Sequence, residues 1–168
     1  EEKLVLRNNA NGASQLHLIG LGNNTFLGNT AGNATAPILW SSGDNNSFIG
    51  AYSGLSNNTG RYNTALGSVS LYYNTSGNDN TAIGTRALFS HQTGSRNTAL
   101  GVDALYQDTS GFDNTALGYA TLYANKSGSN NTAIGIFSLD HNTTGNSNTA
   151  VGRATLGNNT TGQDNTAI

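Results

Sequence analysis

The stretch Asn63-Thr64-Ala65-Leu66-Gly67 decides the fold, because the pattern Asn-Thr-Ala-aliphatic-Gly returns every 17 residues. Its copies open at Asn63, Asn80, Asn97, Asn114, Asn131, Asn148 and Asn165. Two looser copies precede them, one at Asn46 with the same spacing and one at Asn24, a further 22 residues back. A fixed period shorter than any helical repeat, built from β-forming residues and glycine, predicts a parallel β-solenoid in which each period forms one turn.

The composition fits a narrow coil better than a globular domain. Of the 168 residues, 35% are hydrophobic and 10% are charged, with 22 Gly and one Pro. Such a chain cannot build a wide core, whereas a solenoid needs a core only one or two side chains wide. Disordered chains also have low hydrophobicity, but they lack a strict aliphatic period. We therefore predict an all-β fold, a parallel β-solenoid (β-roll) with 17-residue turns.

Charge and residue usage exclude several partners. The net charge is −2, and the seven basic residues are scattered, so no stripe could follow a phosphate backbone and no nucleic-acid partner is expected. Cys and Met are absent, which removes disulfides and thiolate metal sites. No apolar run reaches membrane-spanning length, so we expect no membrane insertion of this segment. No cofactor is predicted.

Two segments depart from the period. Residues 1–22 do not fit it and are predicted to be an N-terminal cap or entry segment, because the terminal repeats of a stack are often atypical. Residues 23–168 are then a solenoid of about nine turns. A loop insertion at 33–45 holds the only Trp, Trp40. Insertions in solenoids map to loops on one face, so this segment is either a plain loop or a binding loop.

Each turn can be numbered from its motif Asn as position 1. Positions 5 and 15 are Gly in every turn from Asn46 onward, which predicts two corners that need a positive φ or a close backbone approach. Positions 1 to 4 are predicted as one strand and positions 8 to 10 as a second. The position-5 residues assigned to the structural motif, with the Asn residues above, are Gly67, Gly84, Gly101, Gly118, Gly135 and Gly152.

Alternation along a strand assigns its residues to two faces. Positions 4 and 9 carry large aliphatic residues such as Leu66 and Leu71, which we expect to fill the interior. Positions 3 and 8 carry small residues such as Ala82 and Ala87, which are then expected to face outward. An apolar outer face predicts close packing against other chains, most simply in a parallel trimer of rods. The opposite assignment, with the large residues at the interface, also requires an oligomer.

Position 10 is aromatic in four successive turns, at Tyr72, Phe89, Tyr106 and Tyr123. Stacked turns lie about 4.8 Å apart, so the four rings are predicted to form a column. The column either holds the turns in register or joins Trp40 in offering flat faces to a glycan. These five aromatic residues are the candidate binding residues.

Stacking also makes charged residues at equivalent positions adjacent. Arg86 and Asp103 share position 7, while Asp79, Arg96 and Asp113 share position 17, and both sets are predicted to form exposed ion pairs. Two turns separate the acids at position 17 by on the order of 10 Å. That separation suits an inverting glycosidase, but the Arg between them favours a ladder of charges.

No catalytic or metal-binding constellation is present in the sequence. His17, His91 and His141 occupy unrelated places in the repeat and are each expected on the surface. Neither a Ser-His-Asp order nor a His-x-x-x-His spacing occurs. We therefore predict that the chain is not an enzyme and binds no metal.

The motif resembles the repeats of two kinds of fibre. The copy at Asn80 to Gly84 is similar to the Asn-Ser-Val-Ala-Ile-Gly signature in heads of trimeric autotransporter adhesins, whose repeat is shorter. The run Asn114 to Tyr123, with Lys126 to Ala133 after it, looks like repeats of phage-like tail fibres and bacterial surface fibres. The resemblance covers residues 24–168 and implies parallel β-rolls assembled as a trimer.

These observations predict a non-catalytic structural and adhesive rod of a trimeric surface fibre or tail fibre, which mediates attachment or spaces a binding tip. The expected location is extracellular, on a bacterial cell surface or a phage-like particle. The expected partners are further copies of the chain and a cell-surface glycan or receptor. The alternatives are a subunit of a polymerising extracellular filament, a carbohydrate-active β-helix enzyme and an ice-binding solenoid that uses its Thr column.

Overall fold

The computed structural model of the chain describes residues 24–32 and 43–168 in full, together with the backbone of two short strands nearer the N-terminus. The described residues form eleven strands of one sheet, arranged in chain order. The strands are β1 (Val5–Leu6), β2 (Leu16–His17), β3 (Thr25–Leu27), β4 (Ser47–Ile49), β5 (Thr64–Leu66), β6 (Thr81–Ile83), β7 (Thr98–Leu100), β8 (Thr115–Leu117), β9 (Thr132–Ile134), β10 (Thr149–Val151) and β11 (Thr166–Ala167).

Strands β3 to β11 are parallel and in register, so each motif residue lies beside its counterpart in the next turn. Between β7 and β8, for example, Thr98 pairs with Thr115 and Leu100 with Leu117. The nine motif copies thus become nine parallel strands, and the steps from β4 to β11 make seven full turns of 17 residues. The predicted parallel solenoid with 17-residue turns is confirmed.

The first two strands continue the sheet in the opposite direction. Strand β2 pairs antiparallel with β3, with Leu16 beside Leu27, and β1 pairs antiparallel with β2. Both strands belong to the segment 1–22 that is predicted to cap the solenoid, and their pairing covers the edge of its first turn. Residues 33–42, which contain Trp40 and most of the predicted insertion, lie outside the described residues.

The interior holds the small residues of each strand and not the large ones. Position 3 is fully buried in every turn from Ala65 to Ala150, whereas at position 4 Leu66 is 45% exposed and Leu100 is 40% exposed. Position 8 is internal as well, as at Ala87. The prediction that position 4 faces inward and positions 3 and 8 face outward is therefore wrong. Position 9 is internal, as predicted, at Leu71, Leu88, Leu105, Leu122 and Leu139.

The motif Asn decides which way each strand faces. Asn97 Nδ2 donates to Asn80 Oδ1 at 3.2 Å and to the Gly111 carbonyl oxygen at 2.8 Å. Asn97 Oδ1 in turn accepts from the backbone N–H and the Nδ2 of Asn114, at 3.0 and 3.1 Å. This bonding repeats at position 1 from Asn46 to Asn165, and we call it the first ladder. Positions 1 and 3 share a face of the strand, so burying the Asn turns Ala inward and the aliphatic residue outward.

A turn replaces the second strand predicted at positions 8 to 10, so that prediction is wrong. Positions 7 and 9 have positive φ angles, for example 59° at Arg86 and 51° at Leu88, which an extended strand excludes. The backbone still bonds from turn to turn here, since Leu88 N donates to the Ala104 carbonyl oxygen at 3.0 Å. Positive φ is uncommon in residues other than glycine, and side-chain pattern alone gives no sign of it.

The two invariant glycines meet the two conditions predicted for the corners. Gly67 at position 5 has a φ of 140°, and a Cβ there would lie 2.6 Å from the carbonyl oxygen of Gly84 in the next turn. Gly77 at position 15 is not among the residues with a positive φ. A Cβ on it would, however, collide with the carbonyl oxygen of Gly94 in the next turn. Any side chain at either corner would push successive turns apart.

Candidate functional site

The four rings at position 10 stack into the predicted column. The ring centroids are 5.3 Å apart for Tyr72 and Phe89, 5.1 Å for Phe89 and Tyr106, and 5.1 Å for Tyr106 and Tyr123. The planes of the last two pairs differ by only 3° and 7°. Stacked aromatic pairs contribute about 0.5 to 1.5 kcal/mol each beyond the area that they bury. The column therefore helps to hold successive turns in register.

The column ends at Tyr123, because the next turn has Asp140 at position 10. One face of Tyr123 stacks on Tyr106, and no aromatic ring among the described residues stacks on the other. The two inner rings, Phe89 and Tyr106, have a neighbour on both faces. A flat ligand can therefore stack at the end of the column but not along its middle.

A surface groove of about 470 Å³ lies at this end of the column. Its volume is within the usual range of small-molecule sites. The aromatic residues that line it are Tyr119, Tyr123 and Phe137, and Tyr119 and Phe137 contact each other edge to face with centroids 5.3 Å apart. Asp103 and Asp140 are the acidic residues that line it. We call this feature the column-end groove.

Asp103 is the least satisfied polar residue of the groove. Its Oδ2 accepts a hydrogen bond from Arg86 Nη2 at 2.7 Å, which confirms the predicted pairing and raises the pKa of Arg86. The prediction that the pair is exposed holds for Arg86 but is wrong for Asp103. Asp103 is only 5% exposed, and its Oδ1 is buried without a hydrogen-bond partner among the described residues. A buried polar atom without a partner costs about 1 to 3 kcal/mol. A donor that reached this oxygen would therefore be strongly favoured.

The polar rim of the groove consists mainly of hydrogen-bond acceptors. His141 Nδ1 lies 2.9 Å from the Gly157 carbonyl oxygen and 3.2 Å from Asp140 Oδ1, so this nitrogen carries the hydrogen. A neutral His141 then presents its Nε2 as an acceptor. Gln107, which also lines the groove, can both donate and accept. The rim thus favours a ligand that is rich in donors.

Of the ion pairs predicted at position 17, the one between Arg96 and Asp113 forms. Among the described residues Asp79 forms no ion pair with Arg96, so that half of the prediction is wrong, although the charge of Asp79 also raises the pKa of Arg96. Arg96 Nε lies 2.6 Å from Asp113 Oδ1, and Arg96 Nη2 lies 2.9 Å from Oδ2. The hydrogen bonds from Arg96 lower the pKa of Asp113, and the same bonds raise the pKa of Arg96. This two-bond pair on the surface supports the charge-ladder interpretation of position 17.

The prediction that all three histidines lie on the surface is wrong for His91. Its side chain is fully buried, with Nδ1 at 2.7 Å from Asp108 Oδ2 and Nε2 at 2.8 Å from the Gly94 carbonyl oxygen. His141 is exposed, as predicted, while the side chain of His17 lies outside the described part of the chain. Position 12, which carries His91, is internal, and we call its residues the second ladder: Asn57, Asn74, His91, Asp108, Asn125, Asn142 and Asn159.

Outside the coil, positions 2 and 4 form two parallel rows on the sheet. The position-4 row runs from Leu27 to Val151, and every member is partly or largely exposed. The Thr residues at position 2 lie beside it in the same strands, as Thr98 does beside Leu100. We call the two rows together the sheet face. A continuous row of exposed aliphatic side chains is unusual on a protein surface and is typical of surfaces at which proteins make contacts.

Sequence reasoning identified the column but missed most of the groove beside it. Tyr119, Phe137 and Asp140 were not predicted as site residues, although the loss of the aromatic residue at Asp140 marks the end of the column. The contribution expected from Trp40 falls outside the described residues.

Within residues 24–32 and 43–168, no group of three or more acidic or histidine side chains is gathered for a metal ion. No helix in this part of the chain is long and apolar enough to cross a membrane. Comparisons with protein-family models, with curated proteins and with solved structures found no match.

Proposed function

We propose that the chain is a structural and adhesive rod of an extracellular fibre, built from parallel copies, most simply three. The observation that carries the proposal is the sheet face, where an aliphatic residue of every turn from Leu27 to Val151 lies on the outside. Scattered exposed hydrophobic residues are normal in soluble proteins, but a continuous row marks a contact surface.

The geometry of the sheet face suits self-association of parallel rods. The aliphatic row from Leu27 to Val151 has one member on each of eight strands, and at a spacing of about 4.8 Å it extends over roughly 34 Å. Parallel copies that meet around a common axis bring the same positions together at every level, because all turns after Asn46 have the same length. Water then leaves the aliphatic row along its whole length.

The interior gives such a rod stiffness without a large core. Each turn bonds to the next through its strand, its turn at positions 7 to 10 and its ladder residues. In solenoids each repeat contacts only its neighbours, and stability grows with the number of interfaces between repeats. A stiff, regular spacer with an adhesive surface is the function that these properties support.

The native mass in neutral buffer tests the assembly. We expect a trimer by size-exclusion chromatography with light scattering, and Leu100→Lys with Leu117→Lys is expected to shift the mass to that of the monomer. Thr93→Lys, at an exposed position away from the sheet face, is the matched control and should leave the mass unchanged. A monomeric wild-type protein with full β-sheet circular dichroism would contradict the proposal, and an open-ended series of larger species would favour the filament alternative.

Ice binding is a second candidate, because the Thr row and the aliphatic row lie side by side on the same face of one sheet. This candidate uses the same face but requires it to be bare in the working protein. A monomeric protein that shows thermal hysteresis, and loses it with Thr98→Lys, would favour ice binding over assembly.

A further inference from the structure

We infer that the column-end groove binds a neutral sugar ring, with the ring stacked on the free face of Tyr123. This inference names the ligand class of the proposed adhesive rod and rests on that proposal for its biological meaning. The binding itself concerns residues at positions 6 to 11 of the turn, whereas assembly concerns positions 2 and 4.

The surface on which the sugar would stack is the ring face of Tyr123 at the end of the column. Rings follow one another at 5.1 Å up to Tyr123, and Asp140 then stands where the fifth ring would be. Asp is shorter than Tyr or Phe, and Tyr123 and Asp140 both line the groove, so the groove adjoins the end of the column. The C–H face of a pyranose is apolar and of similar breadth to a phenol ring, and it can take the next place in the stack.

The polar groups of the groove complement hydroxyl groups. Asp140 lines the groove together with Tyr123, and its carboxylate can accept hydrogen bonds from hydroxyl groups in addition to its contact with His141. Asp103 also lines the groove, and Gln107 can donate or accept. A sugar ring offers several O–H donors at fixed angles, which is what this surplus of acceptors needs.

The charge of the groove restricts the kind of sugar. The described residues that line it include two acids and neither Lys nor Arg. The guanidinium of Arg86 is already hydrogen-bonded to Asp103. A sugar with a carboxylate or phosphate would meet acidic groups without a compensating cation. We therefore expect neutral hexoses and N-acetylhexosamines to bind, and uronic acids to be rejected.

The binding test uses saturation-transfer NMR on the intact chain. The probes are glucose, galactose, mannose and N-acetylglucosamine, with glucuronic acid as the charged counterpart of glucose. We expect transfer from at least one neutral sugar, and binding of glucuronic acid weaker than that of glucose by about tenfold or more. Tetramethylammonium is included because aromatic residues with carboxylates also suit organic cations.

Two variants locate the site. Tyr123→Ala should weaken binding of the neutral sugar by about tenfold or more, whereas Tyr72→Ala, at the opposite end of the same column, should change it less than twofold. Each variant loses one stacked neighbour in the column, and Tyr72→Ala also loses an edge-to-face contact with Tyr73, so the control disturbs the column at least as much as Tyr123→Ala does. Asp140→Ala leaves every ring of the column in place and should also weaken binding, which keeps the test valid if Tyr123→Ala fails to fold.

The inference is overturned if no neutral sugar gives transfer, if tetramethylammonium binds in place of sugars, or if Tyr123→Ala and Tyr72→Ala have equal effects. The native mass of each sample separates this result from the rod proposal. A trimer that binds no sugar contradicts the groove assignment alone, while a monomer that binds sugar through Tyr123 contradicts only the assembly.

Discussion

The two ladders inside the coil both link successive turns by hydrogen bonds, but they use different side chains. The first ladder uses Asn in every turn, and each amide bonds to the turn before it, to the turn after it and to a Gly carbonyl of its own turn. The second ladder starts in the same way, with Asn74 Nδ2 donating to Asn57 Oδ1 at 2.6 Å and to the Gly77 carbonyl oxygen at 3.1 Å. It then changes to His91 and Asp108, a fully buried pair.

The direction of bonding reverses at this pair. In an all-Asn ladder each amide donates to the preceding turn, but His91 donates forward to Asp108 Oδ2. Asn125 donates back to Asp108 Oδ1 at 2.8 Å, so the carboxylate receives donors from both neighbouring turns. Both ring nitrogens of His91 lie at hydrogen-bond distance from an oxygen atom, Asp108 Oδ2 on one side and the Gly94 carbonyl oxygen on the other.

The comparison shows that the coil constrains donors and acceptors rather than residue types. Each internal polar residue must satisfy the turn before it and the turn after it, because a buried polar group without a partner is costly. An Asn does this alone, since it carries two donors and an acceptor oxygen with two lone pairs. A His or an Asp can do it only as one half of a pair in adjacent turns.

The largest expected effect comes from breaking the regular ladder. Asn97→Ala removes four hydrogen bonds at once and leaves the Gly111 carbonyl and both donors of Asn114 with fewer partners. At about 1 kcal/mol for each hydrogen bond, with a further penalty for buried groups, we expect a loss of about 4 to 6 kcal/mol in the free energy of unfolding.

Chemical denaturation measures this loss. Thr98→Ala, in the same strand but on the sheet face, is the control and should cost less than about 1 kcal/mol. Equal effects of the two substitutions would show that the first ladder does not hold the turns together.

Breaking the paired ladder is the next largest effect. His91→Asn restores the residue of the regular ladder but leaves the buried Asp108 carboxyl group without its partner in the preceding turn. Removing one partner of a buried ion pair costs about 3 to 5 kcal/mol, so this return to the repeat consensus is expected to destabilise the protein.

The double variant sharpens the comparison. His91→Asn with Asp108→Asn rebuilds an all-Asn ladder and should recover most of the stability, since a buried pair replaced as a whole is often neutral or stabilising. Asp108→Asn alone should cost less than His91→Asn, because the new amide can donate to a neutral His91 ring. If the double variant is as unstable as His91→Asn in denaturant, the pair does more than complete the ladder.

The smallest effect is expected at the surface. There the ion pair of Arg96 and Asp113 also links two adjacent turns, but it is exposed to water. Arg96 lowers the pKa of Asp113, so the pair contributes to stability above the unfolded pKa of this Asp and loses that contribution as the pH falls through the folded pKa. Arg96→Ala should raise the pKa of Asp113 in an NMR titration while the melting temperature at neutral pH barely changes.

Arg153→Ala is the control for that titration and should leave Asp113 unmoved. A large loss of stability in Arg96→Ala would mean that the surface ladder of charges matters as much as the internal ones.

The sequence by itself determined which residues become neighbours in adjacent turns. A strict 17-residue period brings equivalent positions together in adjacent turns, and this alone predicts the parallel register, the ring column from Tyr72 to Tyr123, the pair of Arg86 and Asp103, and the two glycine corners. Adjacency follows from spacing and does not depend on which side chains point inward.

Only the tertiary structure decided what faces the interior. Hydrophobicity favoured the large residues at position 4, but the buried amides of the first ladder require position 1, and therefore Ala at position 3, to point inward. The positive φ angles at positions 7 and 9 turned the expected second strand into a turn and brought position 8 inside. The column-end groove and the buried pair of His91 and Asp108 depend on which side chains point inward. A period in the sequence specifies which residues are neighbours, but not which of them are buried.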